Sequence, residues 1–246
     1  MVDLILRKPF HYHTHSNRLN YHKTTISVYE VSKSKAQHRN MRFSHVIQWL
    51  LFLTTSLSLT DAFSSLVGTK IPPCELHFGF PPQKVLLPAY AANKNMILLG
   101  LPGAFTPTSS DVQVPGYLHN QDLLKERGGV DEVLVVCIND GAVMRAWNEK
   151  LLKENNVNPG QNMVTFMGDP AGDLARACGM LMDAGSDEAG MLGRSKRYAL
   201  HIQNNIIKYE AVSESEGDPA GNLDPSVTSY DAMLQAILVK REQQVA

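Results

Sequence analysis

Apolar and polar positions take up regular periods only from Lys70 onward, and from there the period changes along the chain. Met96 to Leu101 (MILLGL) and Glu132 to Ile138 (EVLVVCI) are near-continuous apolar runs of strand length, the pattern of strands buried on both faces. Between them, Gly116 to Arg127 has helical character and is stopped by Gly128-Gly129, so the three segments predict a βαβ unit. Asn139-Asp140 stands in a capping position before a helix over Ala142 to Asn155, where Val143, Trp147 and Leu151 recur at helical spacing. Met163 to Met167 predicts a third strand and Asp169 to Met182 a short helix, while Cys74 falls in a strand ahead of all of these.

The order then changes. Arg197 to Gln203 and Ile206 to Val212 read as two strands joined across Asn204-Asn205, a pair suited to the left-handed angles of a type I′ turn, and a helix near Tyr230 to Lys240 closes the chain. A βαβ half followed by a ββα half predicts an α/β protein of thioredoxin-like fold, with a central mixed β-sheet flanked by helices. No internal repeat interrupts the pattern.

Composition supports one sizeable core: 246 residues, 43% hydrophobic and 19% charged. Charge divides the chain differently. Up to Phe63 there are eight Lys+Arg against three Asp+Glu, so a basic leader precedes an acidic body, although the whole carries only -1. Val46 to Leu59 (VIQWLLFLTTSLSL) is apolar but too short for a membrane span of roughly 20 residues. With Met41-Arg42 before it and Ala62 after it, it reads as the centre of a signal peptide over about 41–62, cleaved before Phe63. The expected organisation is a leader over 1–62, whose true start is Met41, a transit or linker segment over 63–69, and one domain over 70–246. His11, His13 and His15 alternate in the leader without an apolar partner pattern for a strand, so they are read as leader sequence and not as a metal site.

Candidate chemistry concentrates in Leu101-Pro102-Gly103-Ala104-Phe105-Thr106-Pro107-Thr108-Ser109-Ser110. This stretch resembles the Pro-x-x-x-Thr-x-x-Cys loop of the peroxiredoxins, in the Pro-Gly-Ala-Phe-Thr-Pro-x-Cys form of the atypical type II (peroxiredoxin 5-like) subfamily. Further matches at Pro115-Gly116-Tyr117, Asn139-Asp140, Ala146-Trp147 and Arg194 to Leu200 extend the likeness from about Lys70 to Leu238. The resemblance implies a thiol peroxidase that reduces hydroperoxides with electrons from glutaredoxin or thioredoxin, uses no cofactor or metal, and pairs as a homodimer or with another peroxiredoxin. It implies no nucleic-acid partner and no membrane in the mature form. Start at Phe63 also resembles the Ala-Phe junction of bipartite plastid leaders in algae with secondary plastids, which implies a plastid address, with the ER or secretion as the alternative.

The residues of the loop have chemical reasons. A reactive thiolate gains from the first turn of a helix, where unpaired N–H groups and the helix dipole stabilise negative charge. Thr106 suits the N-cap and Pro107 the first helical position. By the resemblance, Pro102 shields the site, the Thr106 hydroxyl bonds the peroxide oxygens, and Arg197 polarises the peroxide. The nucleophile's own position holds Ser109. Serine neither ionises near neutral pH as a thiol does nor passes through a sulfenic acid, and no His, Lys or carboxylate lies in the motif before Asp111 to activate it for acyl transfer. The expectation is a weakly active or inactive copy, or a noncatalytic binding partner of active peroxiredoxins.

Three thiols remain. Cys137 lies two residues beyond the point where plant type II enzymes carry a resolving cysteine, on the same sheet face, and is the one substitute or resolving thiol the sequence offers. Cys74 and Cys178 are expected in the core, and three cysteines without regular spacing form neither a disulfide framework nor a zinc site.

Overall fold

Why the two long apolar runs are strands becomes clear from their neighbours. In the computed structural model, which describes residues 65–182 and 193–245, β3 (Asn95–Gly100) and β4 (Glu132–Cys137) are adjacent parallel strands in the interior of a seven-stranded sheet. Both faces of the sheet are covered, so neither strand has room for a polar face. Ile97, Leu99, Val133, Val135 and Cys137 enter one core, and Met96, Leu98, Leu134 and Val136 enter the other. Burying each such side chain contributes roughly 1.5–3 kcal/mol.

The sheet order is β2-β1-β5-β4-β3-β6-β7, with β1 (Glu75–Phe78), β2 (Gln83–Leu86), β5 (Val164–Gly168), β6 (Arg197–Gln203) and β7 (Ile206–Ser213). β5 runs parallel to β4, whereas β6 is antiparallel to β3 and β7 to β6, which makes the sheet mixed. On one face lie α2 (Val114–His119), α3 (Gln121–Gly128), α4 (Gly141–Glu154) and α6 (Tyr230–Val245); on the other lie α1 (Leu87–Tyr90) and α5 (Asp173–Ala177). This is the thioredoxin-like arrangement the periodicity predicts.

Local signals act largely as expected. Asp140 caps α4 by accepting from the Val143 amide, and Asn204 and Asn205 take φ of 47° and 67°, as a type I′ turn requires. Gly129 ends α3 in the left-handed region. Five details differ, the first being that the helix expected over Asp169 to Met182 is confined to Asp173–Ala177. The helix expected over Gly116 to Arg127 begins as a π-helical turn at Thr108–Gln113 and breaks at Asn120, where ψ turns to 19°. The buried face of α4 presents Met144, Trp147 and Leu151, with Val143 at its margin. Cys74 sits one residue before β1. β2, the partner of β1 in a hairpin, has no counterpart in the sequence pattern, because it is a short edge strand whose largely exposed residues show no alternation.

All of these elements belong to one compact unit, Thr60–Ala246. The signal-peptide and plastid-leader readings and the His11, His13, His15 run lie outside the described residues.

Candidate active site

Leu101 leaves the end of β3 by donating its amide to Val136, and the chain then turns through Pro102 to Pro107 into the π turn. Two contacts hold the loop from below: the Ala104 amide donates to Asn139 Oδ1 at 3.0 Å, and Ser195 Oγ to the Leu101 carbonyl at 2.8 Å. Pro102 is buried, and its carbonyl accepts from Arg194 at 3.2 Å. A Cβ on Gly103 would come within 2.0 Å of that guanidinium nitrogen, so glycine lets Arg194 approach. Phe105 takes φ of 60°, a conformation that costs a non-glycine residue about 1 kcal/mol or more and concentrates strain at the loop's apex.

Ser109 lies in the first turn and is fully buried. Its Oγ is 2.8 Å from Thr106 Oγ1 and 3.3 Å from an Arg197 terminal nitrogen. Thr106 Oγ1 also lies 2.9 Å from the Gly103 carbonyl, and its single proton serves one neighbour at a time. When that proton goes to Gly103, the Ser109 hydroxyl supplies the proton of the Thr106–Ser109 pair and Arg197 donates to Ser109. Thr106 therefore does not cap the helix through its side chain, as its N-cap composition suggests; it engages Ser109 instead. Ser109 and Arg197 are thus in direct contact.

Arg197 enters from the start of β6 and is fully buried. Its Nε donates to the Gly221 carbonyl and its other terminal nitrogen to Asn222 Oδ1, each at 3.0 Å. Burial lowers the guanidinium to about 10, while Asp218 favours the charged form, so it remains a cation at neutral pH. Gly221 has φ of 59° and packs so tightly that a Cβ would meet the Ser213 carbonyl at 2.1 Å. Gly221 and Asn222 are the site residues that sequence reading misses, since only the tertiary fold brings them to Arg197. Ser110 is occupied as well: its Oγ accepts from the Trp147 indole at 3.1 Å.

The structure thus brings Pro102, Thr106, Ser109 and Arg197 together at one loop. Cys137 shares the sheet face of Arg197, being in the same core cluster as Val135 and Ala199, but it is 1% exposed. Burial pushes its thiol well up, and the opposing fields of Arg197 and Arg194 do not restore it. Cys74 and Cys178 are buried free thiols in the opposite core, raised by burial to about 11 and about 12. Chemically, the arrangement offers two donors to an oxygen-rich or anionic ligand, and neither Thr106 nor Arg197, the side chains bonded to Ser109 Oγ, is a base that would activate the hydroxyl.

Comparison with known proteins adds to this geometry. The Redoxin family profile matches residues 66–234. Peroxiredoxin-2C of Oryza sativa subsp. japonica is 37% identical over 132 residues, covering 54% of this chain and 75% of its own. Chloroplastic peroxiredoxin-2E of Arabidopsis thaliana is 31% identical over 189 residues, 75% of this chain and 74% of that protein. Among solved structures, reduced Prx3 of Vibrio vulnificus in complex with H2O2 superposes with a TM-score of 0.58 at 29% identity, over 70% of this chain and 94% of its own.

Proposed function

We propose, from the premise that this chain belongs to the Redoxin family and stands among its peroxiredoxins, that it keeps a hydroperoxide-binding loop in which Ser109 occupies the nucleophile's position. Peroxide reduction then proceeds weakly or not at all. The observation that carries this reading is the Ser109 environment: a hydroxyl at a helix entrance, 3.3 Å from a buried charged guanidinium and 2.8 Å from Thr106. A peroxide oxygen entering beside Ser109 would take over the Arg197 donor and the Thr106 hydroxyl, with Pro102 limiting water. These groups polarise and orient an O–O bond, but bond cleavage also needs a nucleophile that accepts oxygen, which serine does not.

The superposition on a Prx3 crystallised with H2O2 supports hydroperoxide as the ligand class. The basic leader and the chloroplastic relative support a plastid address, and membership of the Redoxin family supports thioredoxin or glutaredoxin as reductant and a peroxiredoxin dimer as the assembly.

The test is steady-state hydrogen peroxide consumption with thioredoxin or glutaredoxin. The unmodified chain should run near background, and Ser109→Cys should exceed it by at least about a thousandfold, since the donors are already in position. An inactive Ser109→Cys protein with an intact fold would refute the retained site.

A further inference from the structure

Away from Ser109, and independent of its chemistry, a polar cavity of about 90 Å³ opens between the β6–β7 hairpin and the end of α6. Asn95, His201, Lys208, Lys240 and Arg241 line it. We propose that this cavity binds a small phosphate-class oxyanion.

Hydrogen bonding fixes the tautomer of His201. The Asn95 side-chain nitrogen donates to the Gly128 and Gly129 carbonyls, so Asn95 Oδ1 is an acceptor, and His201 Nε2, 2.6 Å away, must carry the proton. His201 is 6% exposed, and its Nδ1 is buried without a hydrogen-bond partner. An orphaned buried ring nitrogen costs about 1–3 kcal/mol, so it marks a missing partner.

Backbone geometry supplies a second, separate sign. Across the hairpin His201 pairs with Tyr209 and Ile202 with Ile207, which leaves Lys208 as an extra residue in a β-bulge. The bulge reverses the strand's parity: Ile207 packs in one core and Tyr209 against the other. A regular β7 would place Lys208 opposite in orientation to both neighbours; the bulge instead lets it line the cavity with His201. From α6, Lys240 donates to the Lys208 carbonyl and Arg241 to the Arg127 carbonyl, which anchors both cations at the rim. Among the described residues, none of the three forms an ion pair with a carboxylate. Asp131, beside β3, accepts from the Asn95 backbone amide.

Three cations lining one cavity with a neutral imidazole suit a ligand carrying both oxyanion oxygens and one proton. Hydrogen phosphate is such a ligand: its O–H can donate to Nδ1, while its other oxygens accept from Lys208, Lys240 and Arg241. The cavity exceeds the ~30 Å³ share of one water about threefold, which gives room for such an ion. Sulfate has no proton to bring at neutral pH and needs His201 protonated first.

The experiment is calorimetric titration of the purified full chain with inorganic phosphate at pH 7 and constant ionic strength in chloride, with sulfate in parallel and the His201 ring resonances followed by NMR. One phosphate should bind per chain, shift the His201 ring, and bind at least about fivefold more tightly than sulfate. Lys208→Gln and Lys240→Gln, both at the partly buried rim, should each weaken it at least about fivefold with the fold unchanged by circular dichroism. No saturable phosphate binding, an unmoved His201, sulfate binding as tightly as phosphate at pH 7, or undiminished binding in both lysine variants would each overturn the proposal.

Discussion

A serine and a cysteine differ by one atom, and at position 109 that atom decides whether the surrounding charge has anything to act on. Arg197 is buried and cationic with every nitrogen engaged, one of them by Ser109 itself. An opposite charge this close lowers an acid by about one to three pH units, enough to ionise a thiol near neutrality but not a hydroxyl. The thiol introduced by Ser109→Cys should therefore titrate below the ordinary value of about 8.5 by that margin. Adding Arg197→Met should return it to 8.5 or above, read as the pH dependence of thiolate absorbance at 240 nm. Equal titration midpoints in the two proteins would show that the guanidinium does not act on this position.

At the scale of elements, the site depends on a turn that contributes no catalytic side chain. Gly221 offers its carbonyl to Arg197 from a left-handed conformation with no space for a Cβ. Gly221→Ala should lose about 2 kcal/mol or more in urea denaturation and, in the Ser109→Cys background, lose turnover through displacement of Arg197. Unchanged stability would mean the 217–222 turn accommodates the methyl group by moving. Nothing in the sequence near Gly221 points to Arg197, because the contact exists only once β6 and β7 are paired. What is legible is what depends on local chemistry: the doubly buried strands β3 and β4, the Asp140 cap and the Asn204-Asn205 turn. The break at Asn120, the π turn and the Lys208 bulge are settled by packing against the sheet. Apolar spacing alone does not encode them. The loop's motif makes Pro102, Thr106, Ser109 and Arg197 recognisable, whereas Gly221 and Asn222, which brace the site, carry no motif of their own.

Over the whole molecule, the mixed sheet separates two cores and leaves a titratable imidazole under α6. Burial first, then Lys240, Lys208 and Arg241, hold His201 down from 6.5 to about 4. Between those values the unfolded chain binds a proton that the folded chain does not. Its contribution to stability is therefore complete above about pH 6.5 and is lost as pH falls through about 4, in all about 3 kcal/mol. His201→Gln should flatten the stability profile over that window, measured by denaturant unfolding at several pH values; an unaltered slope would assign the acid sensitivity elsewhere. For the leader, N-terminal sequencing of native protein should find Phe63 or a residue soon after it, and an intact Met1 or Met41 would contradict the plastid and signal-peptide reading together.

The most direct measurement of the central claim is single-turnover consumption of equimolar hydrogen peroxide by the unmodified chain and by Cys137→Ser. Cys137 is buried beside Arg197 with its thiol raised, so the two proteins should react equally slowly, both far below Ser109→Cys. Rapid consumption by the unmodified chain that disappears in Cys137→Ser would contradict the account and assign the chemistry to Cys137.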